Sequence, residues 1–227
     1  MPSGTTDSVS TIVFDVNETL SDLGALGARF AAVGASPDLA PLWFTSVLRD
    51  GMALTAAGDS QPFAEIASTL LTSLVDPASL DRPTGDAVAH IMAGFMGLSV
   101  HPDVPPGIAA LRANGLRLVT LSNGSSAVAD ELLRAADLRD SFESLLTVED
   151  SGLWKPARTA YEYAGRECGV DLSQMMLVAV HPWDIHGAAR AGMNTAWINR
   201  RGATYPGHFC SPDVEVSGLD ELATRLV

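Results

Sequence analysis

In the second half of the chain, short apolar or β-branched runs are separated by single stretches of helical periodicity. That alternation constrains the fold more than any other feature of the sequence. Leu116–Leu121, Leu145–Val148, Met176–Val180 and Thr195–Ile198 read as strands, with helices Ser125–Ala136, Arg158–Cys168 and Ile185–Ala191 between them. Strands joined by one helix each pair in parallel through crossovers, so an α/β protein is expected. A further strand, Thr11-Ile12-Val13-Phe14-Asp15, stands alone near the start. Between it and the rest, Leu42–Ala57, Phe63–Val75 and Asp86–Leu98 carry apolar residues at helical spacing, broken at Asp76-Pro77 and Arg82-Pro83. His101-Pro102-Asp103-Val104-Pro105-Pro106-Gly107 reads as a stiff proline-rich hinge, followed by a helix over Ile108–Ala113 with Asn114-Gly115 as its C-cap. At 227 residues the chain has room for a sheet domain and a smaller helical insertion.

Charge narrows the choice of ligand. The 14 Lys and Arg face 27 Asp and Glu, a formal net charge of −13. Without a basic stripe to grip a phosphate backbone, nucleic acid is not an expected partner. No apolar run approaches the roughly 18–20 residues of a membrane span, so no membrane association is expected. The opening MPSGTTDSVS lacks the basic and apolar regions of a secretion signal. Cys168 and Cys210 show neither metal-ligand spacing nor a disulfide framework, which fits a reducing cytoplasm. If the ligand is an anion, a few local cations must hold it against the bulk charge.

In open parallel sheets, ligands bind beyond the carboxyl ends of the strands. Each strand here exits onto polar residues. The first ends on Asp15, followed by Val16-Asn17-Glu18-Thr19-Leu20, and the second runs into Ser122-Asn123-Gly124-Ser125. Lys155 follows the third, within Gly152-Leu153-Trp154-Lys155-Pro156, and the fourth leads to His181-Pro182-Trp183-Asp184. One Asp after a strand is commonly a turn former; polar residues at all four exits point to a convergent site. Phe14-Asp15-Val16-Asn17-Glu18-Thr19-Leu20, Ser122-Asn123, Lys155-Pro156 and Trp183-Asp184-Ile185-His186-Gly187-Ala188 resemble, in order, the four motifs of the haloacid dehalogenase superfamily. The stretch from Val104 to Leu116 resembles that family's return from cap to core. The resemblance spans nearly the whole chain. It implies an α/β fold with a Rossmann-like three-layer core over residues 9–20 and 100–227, a helical cap over residues 21–99 inserted after the first strand, and Asp15 as a carboxylate nucleophile.

Phosphatases of this superfamily carry a second Asp two residues after the nucleophile to protonate the leaving alcohol. Here that position is Asn17, whose amide is no acid at neutral pH. They also hold magnesium with paired acids near the fourth motif; four residues before Asp184 stands Val180, whose side chain offers no oxygen. The resemblance is therefore to the metal-free L-2-haloacid dehalogenases, in which a carboxylate displaces halide from C2 and water hydrolyses the ester. No cofactor or metal is expected, and a halide leaving group needs no proton.

That resemblance assigns roles. Arg49 in the cap would bind the substrate carboxylate or the halide. The backbone N–H groups of Val16 and Asn17, with Ser122 and Asn123, would orient the carboxylate. Thr19 would hydrogen-bond the nucleophile, Lys155 would keep it ionised, and Asp184 would orient Lys155 and assist the hydrolytic water. Tyr161 stands where the family has an active-site tyrosine, or else packs on its own helix. The chain departs from the better-known family pattern with His181 in place of Asn, Ala179 in place of Ser and Asn17 in place of Tyr. His181 reads as a general base or as a hydrogen-bonding spacer. Trp183 reads as a pocket wall, and with His181 would tighten the halide site for small halides, fluoride included. His186 is read as structural. The expected substrate is a short-chain 2-haloacid, turned over by a homodimer. The rival readings are a phosphatase or phosphonate hydrolase, and a catalytically idle binding protein that kept the fold.

Overall fold

The computed structural model describes residues 9–226; the part of MPSGTTDSVS before residue 9, where no secretion signal is expected, lies outside them. Six strands, β1 (Thr11–Phe14), β2 (Arg117–Ser122), β3 (Ser144–Thr147), β4 (Met175–Ala179), β5 (Asn194–Ile198) and β6 (Val214–Val216), form one sheet in the order β3-β2-β1-β4-β5-β6. Every pairing is parallel. β1 is central. The chain steps outward through β2 and β3, then returns to the other side of β1 with β4, so the switch point lies at the carboxyl ends of β1 and its neighbours.

The two-residue alternation of β1 separates two cores. Ile12 and Phe14 face one core with Val104, Ile108 and Leu219, while Val13 faces the other with Leu177, Ile185 and the inserted helices. Both faces are thus covered, as a parallel sheet requires.

Between β1 and β2 the chain builds α1 (Leu26–Ala31), α2 (Leu39–Ala57), α3 (Phe63–Leu74) and α4 (Thr84–Met96). An isolated antiparallel bridge pairs Ser21 with Val100, so the insertion leaves and returns at one place. Trp43 is fully buried at its centre, edge-on to Phe95, with its indole N–H donating to Ala67 O at 2.9 Å. The insertion docks through Trp154, the residue before Lys155. That ring stacks on Phe63 at 6.0 Å, its Nε1–H donates to Gln61 O at 3.1 Å, and its backbone N–H donates to Thr55 Oγ1 at 3.0 Å. Gly51 on α2 makes the approach possible: a Cβ there would lie 2.3 Å from the Trp154 ring. Burying that side chain stabilises the contact by about 1.5–3 kcal/mol, and it ties the helices to the loop that carries Lys155.

The remaining helices are α5 (Val104–Ala113), α6 (Ser126–Ala135), α7 (Val148–Ser151), α8 (Arg158–Cys168), α9 (Pro182–Ala191) and α10 (Leu219–Arg225). The proline-rich hinge is corrected. Val104, Pro105 and Pro106 form the first turn of α5, where a missing N–H costs nothing because it would have no partner in the helix. Four elements are absent from the sequence reading: α1, α7, β6 and α10.

Candidate active site

Asp15 follows β1 directly, and its backbone N–H still donates to Val178 O of β4 at 3.1 Å, so the sheet itself aims the carboxylate. Asp15 is 4% exposed. Its Oδ1 accepts from Lys155 Nζ at 2.8 Å; its Oδ2 accepts from Thr19 Oγ1 at 2.7 Å and faces His181 Nδ1 at 3.1 Å. Thr19 has its hydrogen committed to Asp15, because its oxygen accepts from Val180 N–H at 3.1 Å.

Lys155 is fully buried and bridges two acids, donating to Asp184 Oδ2 at 2.6 Å as well as to Asp15. Asn123 fixes the Lys155 backbone by accepting from its N–H at 2.9 Å and donating to its carbonyl at 3.2 Å. The fully buried Tyr161 donates to Asp184 Oδ1 at 2.7 Å, so its side chain serves the cluster rather than only its own helix.

Burial pushes the Asp15 carboxyl up, but the Lys155 charge and the His181 hydrogen bond outweigh it and hold the group well below the usual carboxylate range. Burial likewise pulls Lys155 down, and the charges of Asp15 and Asp184 raise it overall. Burial pushes Asp184 up, partly offset by Lys155. Burial and the Asp184 charge hold the Tyr161 phenol well above its ordinary value, so it stays a donor.

His181 sits between two carboxylates. Its Nε2 lies 2.8 Å from Glu18 Oε2, opposite the contact to Asp15, and its ring stacks on Trp183 at 4.9 Å. Burial lowers the imidazole, but the bonds and charges of Asp15 and Glu18 push it up to about 9. It is therefore imidazolium at neutral pH. That corrects the reading of His181 as a base poised near pH 7. Trp183 is corrected too: it backs His181, and the tryptophan lining the adjoining cavity is Trp197.

That cavity, about 490 Å³, opens between the insertion and the sheet edge, with Glu18, Val180 and His181 beside Asp15 and Phe44 and Leu26 on the helical side. Arg49 does not reach it. Its side chain is 66% exposed and pairs with its neighbour Asp50 at 2.7 Å, because its position on α2 faces water. The cavity's arginines come instead from the loop after β5. Arg200 is forked onto Asp103 at 2.9 and 2.9 Å, whereas Arg201 forms no ion pair among the described residues.

The backbone N–H groups of Val16 and Asn17 form no hydrogen bond among the described residues and stand beside Asp15. Ser122 Oγ accepts from Gly124 N–H at 2.9 Å and so shapes the turn. Glu18 carries no role in the sequence reading; it lies in the turn after Asp15 and is left-handed, at φ 63°.

The residues do not suit a divalent cation. The Lys155 ammonium already lies between the two carboxylates, and the Val180 carbonyl accepts from Trp197 Nε1 at 2.8 Å. Among the described residues, no group of three His, Cys, Asp or Glu is placed to hold a metal. No helix among them is long and apolar enough to cross a membrane.

A family model for haloacid dehalogenase-like hydrolases matches residues 9–192. The chain is 28% identical over 216 residues to haloacetate dehalogenase H-2 of Moraxella sp. (strain B), covering 94% of this chain and 96% of that protein. It is 29% identical over 215 residues to an (S)-2-haloacid dehalogenase of Pseudomonas sp. (strain YL), covering 94% and 92%. A crystal structure of an L-2-haloacid dehalogenase superposes with a TM-score of 0.88 at 29% identity, covering 96% of this chain and 99% of the other.

Proposed function

The chain belongs to the haloacid dehalogenase-like hydrolases, and on that premise we propose that it hydrolyses a 2-haloacid to the 2-hydroxyacid through an ester on Asp15, without a metal. The observation that carries this reading is the setting of Asp15. A buried carboxylate is held ionised by donors alone, with Asn17 where a leaving alcohol would need an acid. Names of similar proteins that act on haloacetate and (S)-2-haloacids favour the same chemistry.

A carboxylate has about four lone-pair sites. Oδ2 uses two, on Thr19 and His181, and Oδ1 uses one on Lys155, so the open lone pair is on Oδ1. Oδ1 attacks C2, the C2–halogen bond breaks, and halide leaves with the bonding pair. The free N–H groups of Val16 and Asn17 orient the substrate carboxylate, and Arg201 draws the anion into a cavity whose protein is strongly acidic overall. Water then adds to Cγ of Asp15 and gives a proton to Asp184. Lys155, which touches both Asp184 and Oδ1, relays that proton to the leaving oxygen. The hydroxyacid departs with Oδ1, Asp15 keeps the water oxygen, and the second water proton goes to solvent with the halide.

The test is halide release from (S)- and (R)-2-chloropropionate, chloroacetate and fluoroacetate, beside p-nitrophenyl phosphate, with and without EDTA. Halide released in EDTA is expected, with the (S) enantiomer preferred. Magnesium-dependent phosphate release with no halide would support the phosphatase reading instead, and no turnover of any substrate would support an idle binding protein.

A further inference from the structure

Glu18 lies in the catalytic turn, yet nothing above gives it a task. It is 36% exposed at its side chain and occupies the left-handed region at φ 63°, which costs a residue with a Cβ about 1–2 kcal/mol. Three contacts hold it there. Its N–H donates to Ser21 Oγ at 3.3 Å, its carbonyl accepts from His101 Nε2 at 3.0 Å, and its carboxylate meets His181 Nε2 at 2.8 Å.

The consequence lies at the far side of the imidazole. Both ring nitrogens of His181 face carboxylate oxygens, and a carboxylate only accepts. A neutral imidazole carries one hydrogen and would leave one contact repulsive. Only the imidazolium satisfies both. With Glu18 fixed on Nε2, Nδ1–H points at Asp15 Oδ2, the oxygen that Thr19 Oγ1–H also reaches. The two donors stand 3.1 and 2.7 Å from that oxygen, the range in which donors stabilise a developing oxyanion.

We propose that Thr19 and His181 form an oxyanion hole on Asp15 Oδ2 for hydrolysis of the aspartyl ester, and that Glu18 is the positioning residue that keeps His181 doubly protonated for it. The proposal rests on Asp15 being the esterified nucleophile. When Oδ1 carries the substrate, Oδ2 is the ester carbonyl oxygen. Water adds to Cγ, the carbonyl π pair moves onto Oδ2, and the two N–H and O–H donors receive that charge in place. On collapse the pair returns to the Cγ–Oδ2 bond and the Cγ–Oδ1 bond breaks. No proton leaves His181 at any step. The groups facing the imidazole are Asp15 and Glu18, with Trp183 stacked on it; across the cavity stand Asp22, His101, Arg200 and Arg201.

Rapid-quench kinetics with 2-chloropropionate test this, following halide release and the mass of the Asp15 peptide separately from pH 6 to 10. In the unaltered protein, ester hydrolysis should be flat near neutral pH and then fall as the imidazolium loses its proton, at a pH below the value of about 9 that holds while Asp15 is ionised, because the ester removes the Asp15 charge. Glu18→Gln should still release a burst of halide but accumulate the adduct, with hydrolysis slowed about tenfold or more and its fall displaced to lower pH. His181→Ala, which removes one donor, should slow hydrolysis by about 10²–10³. Glu18→Gly serves if the Gln variant folds poorly, since glycine takes φ 63° without strain, and it should trap the same adduct. Hydrolysis that rises with pH over this range would make His181 a general base and overturn the proposal. So would a Glu18→Gln protein that keeps the normal ratio of halide release to ester hydrolysis. If the unaltered protein released no halide from any 2-haloacid, the dehalogenase reading would fall first, and this one with it.

Discussion

Asn123 grips the backbone of Lys155 from both sides, accepting from its N–H at 2.9 Å and donating to its carbonyl at 3.2 Å. One side chain at the exit of β2 thus sets the position of the lysine that follows β3. Asn123→Ala would leave a buried N–H and C=O unpaired, each costing about 1–3 kcal/mol. Urea denaturation should show a loss in that range. Turnover should fall more than substrate affinity, because the ammonium no longer sits on Oδ1. A variant with unchanged kcat would mean that Lys155 holds its place without Asn123.

Lys155→Met removes the cation between two buried acids. Breaking such a pair costs about 3–5 kcal/mol because the charges left behind have no partner. Asp15 and Asp184 then repel, so adding Asp184→Asn should recover part of the stability while leaving the protein inactive. Equal instability of the single and double variants would show that the repulsion is not what destabilises.

Much of the candidate site is legible in the sequence: Asp15, Lys155 and Asp184 come after strands whose ends the apolar runs mark, and the resemblance to the haloacid dehalogenase motifs adds Thr19 and Tyr161. What failed did so for physical reasons. The family resemblance assigns Arg49 as the cap cation, but the periodicity of α2 is too even to show that its side chain faces water. Arg201 sits after β5, where nothing in the sequence signals that the loop turns back over the cavity. Glu18 depends on a left-handed backbone held by contacts to Ser21, His101 and His181, which the local sequence does not show. β6 escaped because Val214-Glu215-Val216 is too short to establish a period.

Two arginine variants separate the expected cation from the one that lines the cavity. Arg49→Ala should leave kcat and KM within about twofold, since the side chain is exposed and paired only with Asp50. Arg201→Ala should raise KM severalfold with little change in kcat, and its effect should shrink with added salt as screening takes over. A large loss in Arg49→Ala alone would return the anion site to the insertion.

Stability should depend on pH through His181. Its folded pKa, about 9, lies above the 6.5 of an ordinary imidazole. The stabilisation is therefore fully present below 6.5 and is lost as pH rises through 9, amounting to at most about 3 kcal/mol. Asp15 acts oppositely: its lowered pKa contributes stability above the ordinary carboxylate value that is lost as pH falls below it. Urea midpoints should drop between pH 6.5 and 9.5 in the unaltered protein and flatten in His181→Gln. A midpoint that is level across that window would show that the imidazolium is not held in the folded state.

The central claim is that Asp15 Oδ1 becomes the hydroxyl oxygen of the product. It is tested by a single turnover in ¹⁸O-water with enzyme in excess over 2-chloropropionate. The account predicts lactate carrying ¹⁶O and an Asp15 peptide that has gained one ¹⁸O. Lactate labelled directly, with no label in the peptide, would mean that water attacks C2 itself and would contradict it.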